Sequence, residues 1–302
     1  MSGIRRAVED SMDLVVGATG QVGRQAALRL RNMGRTVRAM VRGGAARAEA
    51  RDLAEAGIEV MDGDLTRPDT LAGACRGIET VVTTATSMPH AKDDGLRRVD
   101  RDGTLALVEA AEKADVRKFV YTSYSGNIRA PSPLGEAKRA VEARLGNSGM
   151  QAVILRPSYF MEVWLGPALG FDPGKGAARV YGSGDAPVSY IAASDVAEWL
   201  AGLAAHEGKR VTLDVGGPEA LSQLDAVRVF EEVLKKPFQR EFVPLAALEH
   251  MARSPDPLQQ SFARLMIAYA GGDAMPQAWP LAERYGIRLH SVREYAEGFS
   301  AG

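Results

Sequence analysis

The chain has 302 residues, enough for one large α/β domain, or for one such domain with a smaller companion. Its 46% hydrophobic and 25% charged residues are an ordinary globular balance, and a net charge of −1 gives no global reason to bind nucleic acid or an anionic membrane. No apolar run approaches the roughly 18 residues that span a bilayer, and the single cysteine, Cys75, excludes an intramolecular disulfide and suits a reducing, cytoplasmic setting.

In chain order, residues 1–12 lack the apolar stretch of a secretory signal and read as a loose extension. Asp13 to Gly17 reads as a strand. Gln21 to Met33 reads as a helix closed by Gly34, and Thr36 to Val41 as a second strand. Ala45 to Ala56 is predicted helical, Ile58 to Met61 a strand, and Asp69 to Cys75 a short helix that buries Cys75 as a small hydrophobe. Thr80 to Ala85, Lys118 to Thr122 and Ala152 to Leu155 follow as strands, with helices at Asp100 to Ala114 and Gly135 to Asn147 between them. This alternation predicts βαβ units, right-handed crossovers and a doubly wound parallel sheet of Rossmann type. After Pro157 the rhythm breaks, and residues 157–190 are rich in Gly and Pro. Helices are expected from Ala193 to Ala205, capped by Ser194, and from Ser222 to Lys235, with a strand from Arg210 to Val215 between them. The division expected is a dinucleotide domain over 13–156 and a smaller substrate lobe over 157–302, with 191–216 free to rejoin the main sheet.

The turn Gly17-Ala-Thr19-Gly20-Gln21-Val22-Gly23 lies between the apolar strand and an amphipathic helix. In that context each glycine has a use. Gly17 permits the tight turn, Gly20 lets backbone approach a pyrophosphate, and Gly23 lets the helix pack on the sheet. The helix N-terminus adds free N–H groups and partial positive charge. At the end of the second strand, a carboxylate would accept a ribose 2′-hydroxyl. Here Arg42 stands there, with Arg38 and Arg47 nearby, and a guanidinium binds a 2′-phosphate bidentately. NADP(H) is therefore the expected cofactor.

The run Val15-Val16-Gly17-Ala-Thr-Gly20-Gln-Val-Gly23, spaced Gly-x-x-Gly-x-x-Gly, resembles the opening of the short-chain dehydrogenase/reductase superfamily. It is most similar to the extended and atypical branches, including NmrA-like proteins and their NAD(P)H:quinone oxidoreductase relatives. That resemblance implies a meeting of Asp64, followed by Leu65, with the adenine amino group. It implies that Ala85 and Thr86 line the cofactor's centre, and that Pro157, Tyr159 and Phe160 lie beside the nicotinamide. It gives Ser123 the role of polarising a substrate carbonyl and Lys138 that of holding the nicotinamide ribose. Asp195 would be a structural helix-start residue. Asp64 has a competing use as a turn-former.

The resemblance has one gap. The family's Tyr-x-x-x-Lys helix places tyrosine and lysine on one face, and the tyrosine donates a proton as hydride arrives. Here the segment is Leu134-Gly-Glu-Ala-Lys138. Tyr124 is the other hydroxyl within the candidate site. Without the usual acid, reduction of a simple ketone to an alkoxide is disfavoured. A quinone, enone or imine-like acceptor avoids the need. Met88, Tyr124, Phe160, Trp164 and Tyr190 are candidates for an apolar substrate pocket, with ordinary core packing as the alternative for each.

No metal-ligand spacing appears among His90, His206, His250 and His290. The cluster Arg97, Arg98 and Arg101 reads as a solvated helix start rather than a nucleic-acid patch. The expectation is an NADPH-dependent reductase acting on a small molecule, with neither nucleic acid nor membrane as partner; assembly as a homo-oligomer is left open. The alternative is a non-catalytic NADP-sensing regulator. A nucleotide-sugar epimerase is the weaker third reading, because such enzymes usually keep Tyr-x-x-x-Lys.

Overall fold

The computed structural model describes residues 12–89 and 94–300. The expected N-terminal extension, up to residue 11, and His90 lie outside these residues. Met12 instead begins the first strand.

Seven strands form one sheet in the order β3-β2-β1-β4-β5-β6-β9, the reversal of winding falling between β1 and β4. They are β1 (Met12–Val16), β2 (Thr36–Val41), β3 (Glu59–Asp62), β4 (Ile78–Thr83), β5 (Lys118–Thr122), β6 (Gln151–Pro157) and, out of sequence, β9 (Val211–Val215). β1 runs parallel to both neighbours, Val15 facing Ala39 on one side and Val82 on the other. Strands covered on both faces read as continuous apolar runs, and Leu14, Val15, Val81, Val82, Phe119 and Val120 are all fully buried.

The first helices are α1 (Gln21–Asn32), α2 (Arg51–Glu55) and α3 (Leu71–Cys75). The expected helix over 45–56 is two 3-10 turns followed by the single short turn of α2, because Gly43 and Gly44 both take positive φ at its start. The helix expected from Asp100 starts earlier. A π-helical segment, Leu96–Gly103, leads into α4 (Thr104–Lys113). Next come α5 (Pro133–Gly146), α6 (Met161–Trp164) and α7 (Ala193–Ala205). Ser194 does not cap α7, since the helix already starts at Ala193; the Glu162 carboxylate accepts the Ala193 N–H instead, at 2.9 and 3.0 Å.

The chain divides into two compact units that interleave along the sequence. The first holds residues up to Ser123, Glu136–Leu155 and Ala197–Leu213. The second holds Tyr124–Gly135, Arg156–Val196 and residues from Asp214 onward.

In the first unit the core joins Leu14, Val81, Phe119, Val141 and Leu145 to the helices that flank the sheet. Cys75 is part of it, and burial pushes its thiol up to about 11, away from reactivity. Lys118, at the start of β5, is fully buried. Its ammonium donates to the carbonyls of Leu203, Ala204 and His206 at 3.2, 2.9 and 2.7 Å, closing the C-terminal end of α7.

In the second unit a small sheet, β10-β8-β7, packs with helices around an aromatic core. Its strands are β7 (Phe171–Asp172), β8 (Ala177–Tyr181) and β10 (Gln239–Val243), and its helices include α8 (Gln223–Leu234) and α10 (Pro257–Ala270), with the one-turn to two-turn α9 (Leu245–Met251) between them. α8 opens with a reciprocal cap in which Ser222 and Asp225 each satisfy the other's backbone N–H. The last helices are α11 (Ala278–Tyr285) and α12 (Val292–Glu297). Asp195, in the first turn of α7, accepts the backbone N–H of His290 at 2.8 Å and faces its Nδ1 at 2.5 Å, so it anchors the segment that starts α12.

Candidate functional site

In the first unit the glycine turn has the shape its sequence demands. Gly17 has φ +89°, and a side chain there would lie 2.8 Å from Thr84 Oγ1. A Cβ on Gly23 would lie 2.3 Å from the Gly17 carbonyl oxygen, so α1 can approach the turn only with glycine at this place. A Cβ on Gly20 would meet only that same oxygen, at 3.3 Å, leaving its other side open for a ligand. Gly20 is also the N-cap of α1 and offers no side-chain cap, and no acidic residue stands in the first turn. Thr19 and Gln21 are exposed, and Val22 is half-buried. An uncapped, positively polarised helix end beside an open glycine is a fit for a pyrophosphate.

The three arginines near β2 have different surroundings. Arg38 pairs with Glu59 at 2.9 Å and donates to the carbonyls of Ala74 and Arg76, which makes it a structural tie. Arg47 pairs with Glu49. Arg42 is exposed and has no ion pair among the described residues. The turn that carries it is held by Asp62, whose carboxylate accepts the Gly43 N–H at 2.8 Å.

At the end of β3, Asp64 accepts both the N–H and the hydroxyl of Thr66, at 2.8 and 2.9 Å, through one carboxylate oxygen. The turn-forming use of this residue is therefore present. Leu65 is buried, and its carbonyl lies where a side chain on Gly103 would be. Ala85 is half-buried after β4. Thr86 is exposed, but its hydroxyl is donated to Asp100 at 2.6 Å.

Lys138 is buried on α5. Its ammonium donates to the Thr122 carbonyl at 3.2 Å, lies 3.9 Å from Asp100 and stands 5.2 Å over the Tyr121 ring. Burial pushes its pKa down, while Asp100 and Glu142 pull it back up. The hydroxyls of Thr122 and Ser123 are buried without a hydrogen-bond partner among the described residues. A native protein rarely leaves such groups unpaired unless something else is meant to meet them.

The second unit carries the remaining candidates. Leu134 is buried, and its N–H donates to Ser261 Oγ at 3.2 Å. Beside it, a Cβ on Gly135 would fall 2.5 Å from the Tyr124 hydroxyl oxygen, so glycine at 135 makes room for that hydroxyl over the first turn of α5. Phe160 and Tyr124 are half-buried, as is Met88 in the first unit. Pro157 is buried. Tyr159, Trp164 and Tyr190 stand in the core, which for Trp164 and Tyr190 is the packing alternative to a pocket wall. Tyr159 packs edge-on to Trp164 with centroids 4.7 Å apart, and the hydroxyls of Tyr190 and Tyr269 bond to each other. Rings this enclosed hold the unit together.

Sequence reasoning missed two acids. Asp100 is buried in the π-helical segment beside Lys138. Asp273 is buried in the second unit and accepts bonds from Ser125, Asn127 and Ser158 at 2.7–2.8 Å. Nothing in spacing singles out Asp100 from Asp94 or Asp102, which pair with Arg97 at the surface. Among the described residues no cluster could hold a metal ion, and no helix is long and apolar enough to cross a membrane.

The family of NAD(P)H-binding proteins matches residues 17–207, a span that begins at the glycine turn and extends past Lys138. The chain belongs to this family. Photosystem II assembly factor Ycf39 of Trieres chinensis is 32% identical over 243 residues, 78% of this chain and 73% of the relative. A (4-alkanoyl-5-oxo-2,5-dihydrofuran-3-yl)methyl phosphate reductase of Streptomyces griseus is 32% identical over 259 residues, 83% of this chain and 84% of the relative. The structure of the NADPH-dependent quinone oxidoreductase QOR2 of Escherichia coli, solved with NADPH, matches with a TM-score of 0.78 over 95% of this chain and 99% of that one. At 21% identity this likeness shows the shared fold. Membership makes this chain an NAD(P)H-binding protein, and the open glycine turn and uncapped α1 fit that cofactor.

Proposed function

We propose that the chain is an NADPH-dependent reductase of an apolar, electron-poor acceptor: a quinone, an enone or an imine-like compound. The observation that carries this reading is the buried Lys138 ammonium, bonded to the strand end where Ser123 keeps an unpartnered hydroxyl, on a helix whose residue 134 is leucine.

When bound, the reduced nicotinamide supplies hydride. The turn from Gly17 to Gly23, with Thr19, Gln21 and Val22, holds the pyrophosphate, and Arg42 takes the 2′-phosphate. Arg47 stands by as a second cation, Asp64 and Leu65 flank the adenine, and Ala85 and Thr86 flank the centre. Lys138 bonds the ribose. Pro157 and Tyr159 contribute backbone, and Phe160 its ring, to the nicotinamide side. Tyr124 and Phe160, both half-buried in the second unit, offer apolar surface for the acceptor.

Ser123 donates its hydroxyl proton in a hydrogen bond to the acceptor atom that gains charge. Tyr124 is the donor that takes over from the absent tyrosine. A delocalised phenolate or enolate is held by such bonds until water protonates it, whereas an alkoxide needs the acid that Leu134 cannot be. The Streptomyces griseus relative supports the conjugated class, since its name describes an alkene conjugated to carbonyl groups. The relation to an assembly factor, together with Leu134, favours a second reading, a non-catalytic NADP-sensing regulator.

The experiment is a panel of quinones, enones, imines and simple ketones with NADPH, followed by nicotinamide absorbance. Turnover on a conjugated acceptor but not on simple ketones is expected, with Tyr124→Phe lowering kcat on the order of a hundredfold at unchanged NADPH affinity. Tight NADPH binding without turnover on any acceptor would sink the reductase in favour of the regulator.

A further inference from the structure

Asp100 is a fully buried carboxylate in a π-helical segment, an uncommon element that concentrates at working sites. Both of its oxygens bond the turn after β4: Oδ1 accepts the Thr86 hydroxyl at 2.6 Å, and Oδ2 accepts the Ser87 N–H at 2.9 Å and the Ser87 hydroxyl at 2.5 Å. The other neighbour is Lys138, whose ammonium lies 3.9 Å from Oδ1.

The groups that face Lys138 can be named from every side. The Thr122 carbonyl and the Tyr121 ring come from β5, and Asp100 comes from the π-helical segment. Glu142 lies one turn along α5 and is itself bonded to Arg139 at 2.5 Å. Among the described residues, Asp100 is thus the acid within ion-pair range that comes from outside the lysine's own helix.

We propose that Asp100 is the positioning residue of the Lys138 site: one carboxylate ties the Thr86–Ser87 turn to the lysine, so that the cofactor-lining turn and the lysine's charge are set together. The proposal rests on the reading of Lys138 as the working cation. The sign is fixed by the surroundings. Burial drives the lysine towards its neutral form, and the Asp100 charge opposes this. Removing that charge lowers the pH at which the lysine loses its proton.

The test is Asp100→Asn in protein carrying carbon-13 lysine, with the Lys138 signal assigned by its loss in Lys138→Arg. The Lys138 titration midpoint is expected to fall by about one pH unit or more, and the basic limb of kcat to move the same way. A midpoint that coincides with wild type overturns the proposal. A midpoint that moves in a protein that reduces no acceptor upholds it and removes the reductase reading instead. Thr86→Val with Ser87→Ala keeps Asp100 in place if Asp100→Asn does not fold. This variant is expected to weaken NADPH several-fold and to move the Lys138 titration midpoint less than Asp100→Asn does. Unchanged NADPH affinity there would overturn the tie between turn and lysine.

Discussion

Arg42 stands apart from the two arginines near it because they are already engaged. Arg38 holds Glu59 and two carbonyls, and Arg47 holds Glu49, so neither is free to meet a phosphate without breaking a bond. Arg42→Ala is expected to weaken NADPH by about 1.5–3 kcal/mol, the range of a charge-assisted contact, and to leave NADH within error, by calorimetric titration of both cofactors. Equal weakening of both would remove Arg42 from the 2′-phosphate. At this scale the sequence was legible where chemistry and position coincide. The glycine turn follows from a strand, a turn and a helix in succession, and the exposed place of Arg42 from the end of the next strand. Trp164 and Tyr190 did not yield to the same reasoning, because an aromatic side chain looks alike in sequence whether it walls a pocket or fills a core. Contacts decide, and those of Tyr190 lead inward to Tyr269. Asp100 was hidden because its partners, Thr86 and Lys138, are distant in sequence.

Among the elements, the seven strands of the large sheet were legible to within two residues, since buried parallel strands are short apolar runs between turn signals, whereas β7, β8 and β10 were not read from the sequence. β2 and β5 have the bounds expected from the sequence. The helices were less so. The stretch before α4 is polar and arginine-rich, and nothing in such a pattern distinguishes a π-helical segment from a solvated start. Lys118 shows a different limit. A lysine opening a strand reads as an edge charge, yet it is enclosed and caps α7 through three carbonyls. Lys118→Met leaves those carbonyls without their donor. A loss of about 1–3 kcal/mol is expected, the cost of unpaired buried groups, read as a lower urea midpoint with unchanged slope. A midpoint equal to wild type would mean that water replaces the ammonium.

For the whole molecule, the sequence suggested a division near residue 156, with 191–216 free to rejoin the main sheet. The two units exchange the chain several times, and the first includes residues 197–213. That segment brings the carbonyls bound by Lys118, and it brings Arg210, which donates to the carbonyls of Leu145 and Gly146. It also begins β9, the seventh strand of the sheet. The exchange at 124–135 leaves no mark in local pattern, because which unit a segment joins is set by its partners. A chain truncated after residue 156 is therefore expected to show no cooperative thermal transition and to aggregate. A sharp melt from that fragment would show that β9 and its flanking helix are dispensable.

The late arrival of β9 has a consequence for synthesis. Between the end of β6 at Pro157 and the start of β9 at Val211 the ribosome must add the whole intervening segment. At roughly 5–20 residues per second, that takes several seconds. Throughout that interval the nascent sheet ends in an unpaired strand, and Lys118 waits without its carbonyls. An open apolar edge is a template for a neighbouring chain. The nascent protein is thus most exposed to misassembly after its cofactor turn has been made and before its sheet is closed.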